Sequence, residues 1–223
     1  MALLLDSLWQ RLLLPARFVF FTVIFLGASL HPLEALSDPL TGIVLSIILL
    51  WRAYEHVSIG MKTYRFLKDP GKHTMVLPAL SLWIGCAWPI FDYYNLPPTL
   101  PRVFGLRILG VALLCLGILI RYISIRTLGR FFTAHLKVNE GRRLIQEGIY
   151  KNLQHPSYFG MIFSFVGLPL AFCSLYGLTY MIFIGIPSIL FRINLEESFL
   201  MEEFGNEYVE YRKHTYKFIP FLY

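Results

Sequence analysis

Apolar positions in this 223-residue chain run together in blocks, and the polar positions collect in the gaps between them. Crossing the roughly 30 Å hydrocarbon core of a bilayer takes about 20 mainly apolar helical residues at 1.5 Å each. The first block of about this length runs from Leu12 to Leu30, with Arg17 near its start, and the second, less clean, begins after Asp38-Pro39 and runs through Trp51 to about Ile59. The third covers Thr74 to Phe91, and the fourth covers Val103 to Ile120 with Arg107 in its first turns. The fifth, Asn152 to Phe191, contains no Asp, Glu, Lys or Arg. As one helix it would reach about 60 Å, twice the core thickness, so it must turn back, near Cys173-Ser174-Leu175-Tyr176-Gly177. The pattern predicts an all-α, polytopic integral membrane protein with about six transmembrane helices, the last two forming a C-terminal helical hairpin.

Composition agrees. The chain is 56% hydrophobic and 15% charged, whereas soluble domains are about 45–50% apolar and about 25% charged. This excludes an ordinary soluble domain and a disordered chain. Net charge is +6, from 20 Lys and Arg against 14 Asp and Glu, and the cations are unevenly placed. They lie at the N-terminal end with Arg11 and Arg17, from Arg52 to the start of the third block, between the fourth and fifth, and after the fifth; Arg102 and Arg107 are the exceptions. Cytoplasmic loops collect Lys and Arg, so both termini are expected in the cytoplasm. Topology accounts for the basic balance, and nucleic acid is not an expected partner; attraction to anionic membrane lipid is. Cys86, Cys115 and Cys173 form no C-x-x-C pair, and His31, His56 and His73 lack ligand spacing, so no metal site is expected. Nor is a cleavable signal peptide expected, since Asp6 precedes the first block and basic residues sit inside it.

Residues 1–120 read as a four-crossing membrane region without chemistry of its own. Arg107, near a helix end, reads as snorkelling or pairing with a carbonyl. Residues 121–160 and 192–223 carry dense polar groups on the same cytoplasmic side and flank the open end of the hairpin. In the first, Pro156 suits the first turn of a helix and biases His155 toward an extended backbone. The free amides there offer donors, His155 and Tyr158 stand at the entrance, and Gly160 permits close backbone approach. A capped, interfacial helix start with an aromatic anchor would look the same. In the second, Arg192 follows forty uncharged residues and shares a helical face with Glu196. It reads either as a snorkelled arginine or as a functional charge at membrane depth.

These residues carry a resemblance. Gly148-Ile149-Tyr150, then Gln154-His155-Pro156-Ser157-Tyr158-Phe159-Gly160, then Arg192-Ile193-Asn194-Leu195-Glu196-Glu197 and Phe204-Gly205-Asn206-Glu207-Tyr208-Val209-Glu210-Tyr211 resemble the isoprenylcysteine carboxyl methyltransferase family. That family consists of membrane methyltransferases related to phospholipid N-methyltransferases. Arg126 to Thr133 resembles the family's stretch before the cofactor loop. The resemblance implies a catalytic region over residues 121–223, made of a cofactor loop, the hairpin and a C-terminal cytosolic helix. It implies S-adenosylmethionine as cofactor in a cytoplasm-facing pocket, held by Tyr150, His155, Pro156, Ser157, Tyr158 and Glu196, with backbone contacts from near Arg142 through Arg143, Leu144 and Ile145. Arg192 would bind the substrate carboxylate, Arg192 and Glu196 would be the catalytic pair, and a tunnel on the lipid side would take a prenyl or acyl chain. The family arginine before His-Pro is Gln154 here.

The implied reaction is O-methylation of a lipidated carboxylate such as a prenylated cysteine. A carboxylate is ionised near neutral pH and needs no base, whereas an amine acceptor, as in a phospholipid N-methyltransferase, would need one, with Glu197 or His155 available. Sterol reductases resembling this fold match the motifs less well. A membrane scaffold or transporter subunit would leave the joint spacing of the two motifs to chance.

Overall fold

The computed structural model describes residues 32–63, 76–132 and 143–217. The first predicted crossing, Leu12 to Leu30, and Arg142 lie outside the described residues. Those described are helical, with no strand longer than a single bridge between Leu153 and Tyr216. The elements are α1 (Pro32–Ser37), α2 (Pro39–Thr63), α3 (Val76–Asn95), α4 (Phe104–Leu128), α5 (Pro156–Ala171), α6 (Leu175–Phe204) and α7 (Asn206–Lys213). Short 3-10 turns occupy Gly129–Phe131 and Gly148–Lys151. Among the described helices, α4 and α6 are long and apolar enough to cross a bilayer; α5, at 16 residues, is apolar but shorter.

The uncharged block does fold back as a hairpin of α5 and α6. Its turn is local chemistry: Cys173 takes φ 47, and the Ser174 hydroxyl accepts from the Gly177 amide at 2.8 Å, capping α6. Ser174 also donates to Asp92 of α3, which holds the hairpin tip against that helix. A π-helical turn, Met181–Gly185, lies within α6, and Met181 is fully buried there.

Antiparallel α4 and α5 touch backbone to backbone. A Cβ on Gly117 would lie 2.4 Å from the Gly160 carbonyl oxygen, and one on Gly167 would lie 2.5 Å from the Leu114 amide nitrogen. What approaches Gly160 so closely is therefore α4. Arg107 does pair with a carbonyl, donating from Nε to the Ala171 oxygen at 3.2 Å, and it also forms an ion pair with Asp38. Burial favours the neutral Asp38 acid, but hydrogen bonds from Arg107 and Thr41 outweigh it and hold the carboxyl below its usual range.

Candidate functional site

Helix α5 begins where the sequence says it should. Pro156 occupies its first turn, and His155 is the non-helical residue before it. Tyr158, one turn on, reaches across the open end of the hairpin to α6, where its hydroxyl donates to Glu196 Oε2 at 2.7 Å. The Tyr158 side chain is also in hydrogen-bonding contact with Arg192, so one tyrosine links both residues of the second motif. Arg192 is 3% exposed, which settles the choice between a snorkelled and an interior position in favour of the interior.

Below α6 the chain breaks at Gly205, whose φ of 50 suits glycine, and turns into α7. This brings Tyr208 and Tyr211 back under the loop that precedes α5. The Tyr211 hydroxyl donates to the carbonyls of Tyr150 (2.7 Å) and Leu153 (3.1 Å). Backbone bonds from Gln154 to Tyr216 and from Tyr216 to Asn152, both 2.9 Å, complete the clasp. Burial raises the Tyr150, Tyr208 and Tyr211 phenols above their ordinary range, so all three remain neutral O–H groups at working pH.

These elements enclose a cavity of about 220 Å³. Its wall includes Arg143, Leu144, Ile145, Tyr150, His155, Ser157, Tyr158, Arg192 and Glu196. The two motifs, some forty residues apart in sequence, thus face a common space. Of the expected contacts, Pro156 is fully buried in the first turn of α5 but is not part of the wall. Sequence reasoning gave no role to Arg121, Met161, Tyr208 or Tyr211, which also line the cavity. The tyrosines belong to the Phe204-to-Tyr211 motif, and their role depends on α7 folding back; by sequence Arg121 is one of the cations between the fourth and fifth blocks.

Two buried polar atoms in this wall, Gln154 Oε1 and the Tyr208 hydroxyl, have no hydrogen-bond partner among the described residues. Gln154 turns its amide nitrogen outward to the Thr215 carbonyl, at 2.9 Å. Its carbonyl oxygen is thus an acceptor at the position of the family arginine. Glu197 is not part of the wall; it faces His155 Nε2 at 3.3 Å and Lys217 Nζ at 3.1 Å. A second cavity of about 90 Å³ lies deeper, lined mainly by apolar side chains including Ile48, Leu114, Ile118 and Phe165. Arg121 and Met161 border both cavities.

Residues 110–202 match the model of the isoprenylcysteine carboxyl methyltransferase family. Over 127 residues, 56% of this chain, it is 31% identical to protein-S-isoprenylcysteine O-methyltransferase B of Arabidopsis thaliana, covering 64% of that protein. Identity is 32% over 117 residues to the Saccharomyces cerevisiae protein-S-isoprenylcysteine O-methyltransferase and 29% over 149 residues to the Homo sapiens one. The matches cover 49% and 50% of those two relatives, so the chain spans from about half to just under two thirds of the length of the three. In structure it resembles a eukaryotic intramembrane Ras methyltransferase, an isoprenylcysteine carboxyl methyltransferase, with a TM-score of 0.63 at 22% identity, over 91% of this chain and 74% of that one. Over residues 110–202, this chain is similar in sequence to the isoprenylcysteine carboxyl methyltransferase family.

Proposed function

We propose that this protein is a membrane methyltransferase that uses S-adenosylmethionine to methylate the carboxylate of a lipidated, isoprenylcysteine-type acceptor. The observation that carries the reading is the convergence of Arg192, Glu196 and Tyr158, from both ends of the hairpin, on one cavity whose wall also holds unpartnered polar atoms.

The residues present fit the cofactor. Gln154 Oε1 and the Glu196 carboxylate are acceptors suited to amino and hydroxyl donors, the Tyr208 hydroxyl can donate, and Leu144 and Ile145 add an apolar wall. Tyr150, His155, Ser157, Tyr158 and the stretch from Arg143 to Ile145 would hold it, with Pro156 setting the helix start. When bound, S-adenosylmethionine supplies an electrophilic methyl group on a sulfonium centre.

Arg192 orients the acceptor carboxylate with its planar fork of N–H donors, and the Tyr158 contact restrains its rotamer. Glu196, fixed by the Tyr158 O–H, is restrained in the same way. The acceptor is already an anion, so no protein group has to remove a proton. Holding both reactants in line in this cavity supplies the main rate advantage. Of the two bases an amine acceptor could call on, Glu197 lies outside the cavity, engaged by His155 and Lys217, and His155, which lines it, turns its Nε2 to Glu197; this favours the carboxylate reading.

The deeper apolar cavity is where the acceptor's hydrocarbon chain would begin. In this reading the chain crosses the membrane about six times with both termini in the cytoplasm, and residues 121–223 form the catalytic region over a four-crossing region, 1–120. The boundary is functional rather than architectural, because α4 runs unbroken across it to Leu128. Calorimetry with S-adenosylmethionine on detergent-purified, folded protein tests the reading: a saturable one-site heat is expected, and its absence would overturn the reading.

A further inference from the structure

We infer that Glu55, in the part of the chain that the family match does not reach, is a positioning residue for the acceptor side of this site. The inference rests on the methyltransferase reading above. Glu55 stands on α2 and is 7% exposed. Its Oε2 accepts from Arg52 Nη1 and its Oε1 from Arg121 Nε of α4, each at 2.6 Å. Arg121 in turn donates from Nη1 to the Ser157 hydroxyl at 2.8 Å, in the first turn of α5. Three helices are thus joined through one guanidinium, and that guanidinium borders both cavities.

A free arginine side chain has rotamer entropy of about 2 kcal/mol to lose when fixed. Here Glu55 holds it at Nε and Ser157 at Nη1, which fixes the plane of the fork at the partition between the cavities. Burial of Glu55 alone would not require this, because Arg52, three residues earlier on the same helix, already supplies a counter-ion. With two guanidinium groups around one carboxylate, the trio keeps one positive charge, and Arg121 carries it to the partition. An acceptor with its chain in the apolar cavity and its carboxylate at Arg192 must pass this point. Positive charge fixed there favours an anionic head group.

The test compares Glu55→Gln, Glu55→Asp and Arg121→Lys with the wild type, using a farnesylated cysteine as acceptor. Readouts are the acceptor KM, kcat, the S-adenosylmethionine Kd by calorimetry, and the slowly exchanging Arg121 Nε–H signal in nitrogen-15 spectra, assigned by its loss in Arg121→Lys. Glu55→Gln should raise the acceptor KM roughly tenfold and lose the Nε–H signal, with kcat and the cofactor Kd within about threefold of wild type. Glu55→Asp should retain the signal and show a smaller rise. Arg121→Lys should raise KM as Glu55→Gln does, and combining the two should add little. Should Glu55→Gln fail to fold, Arg121→Lys and Glu55→Asp carry the same comparison. An unchanged acceptor KM in the folded variants, or a loss of cofactor affinity equal to the rise in KM, overturns the inference while leaving the function intact. A wild type that methylates no farnesylated cysteine overturns both.

Discussion

The contact between α4 and α5 gives a prediction whose size follows from the structure. Gly160→Ala would place a methyl group 2.5 Å from the Gly117 carbonyl oxygen and 2.9 Å from the Arg121 amide nitrogen. Ordinary C···O contacts begin near 3.3 Å, so the helices must separate by roughly 0.8 Å. Both obstacles are backbone atoms, and no rotamer relieves them. Overpacking of this kind costs about 1–3 kcal/mol, offset by up to about 1 kcal/mol from the better helix propensity of alanine. A net cost of about 1–2 kcal/mol should lower Tm by roughly 2–8 °C in a chain of this size. A shift of that size at Arg121 would also stretch its 2.8 Å bond to Ser157 past hydrogen-bonding distance. Thermal unfolding in detergent, followed by tryptophan fluorescence, measures the first effect, and the acceptor KM measures the second. Gly105→Ala, on the facing helix α4 with nothing within 4 Å of the new methyl, is the control and should be neutral or slightly stabilising. If Gly160→Ala proves as stable as Gly105→Ala, the backbone contact does not hold these helices together and the reasoning fails.

Other substitutions probe the site and its supports. Glu196→Ala should weaken S-adenosylmethionine binding, whereas Arg192→Ala should mainly impair the acceptor; calorimetry and steady-state kinetics separate the two, and equal loss of both would contradict the division of roles. Tyr211→Phe leaves two buried carbonyls without their donor, a loss of about 1–3 kcal/mol that should appear both in Tm and as weaker cofactor binding. The Asp38 carboxyl is held below its ordinary value of 3.8 in the folded chain. The Asp38–Arg107 pair should therefore contribute full stability above that value and lose it as acidification passes through the lowered one. Asp38→Asn should flatten that part of the stability curve below pH 4, and an unchanged acid limb would refute the pairing.

Much of this was legible in the sequence, for identifiable reasons. The hairpin followed from arithmetic, since forty uncharged residues cannot form one crossing, and the observed turn at Cys173 and Ser174 lies within the predicted stretch. Pro156 marked the start of α5 because its fixed φ and missing N–H suit the first helical turn. The convergence of the Tyr158 and Glu196 segments followed from placing both at the open end of that hairpin. What escaped depended on contacts between distant residues. Glu55 and Arg121 are 66 positions apart, and each on its own reads as an interfacial charge. Cations placed in the loop after the fourth block, Arg121 and Arg126 among them, sit on α4, which continues eight residues past Ile120 to Leu128. Gly160 carried a real signal of close approach, but nothing local identified the approaching group as Gly117. Tyr208 and Tyr211 acquire a purpose only once Gly205 bends α7 back beneath the loop.

The central claim is that a prenylated carboxylate receives the methyl group. Purified protein given methyl-labelled S-adenosylmethionine and both a farnesylated cysteine and phosphatidylethanolamine tests it directly. The account predicts label in a base-labile methyl ester of the farnesylcysteine, lost in Arg192→Ala. Label appearing in the phospholipid amine, or in neither acceptor, would contradict it.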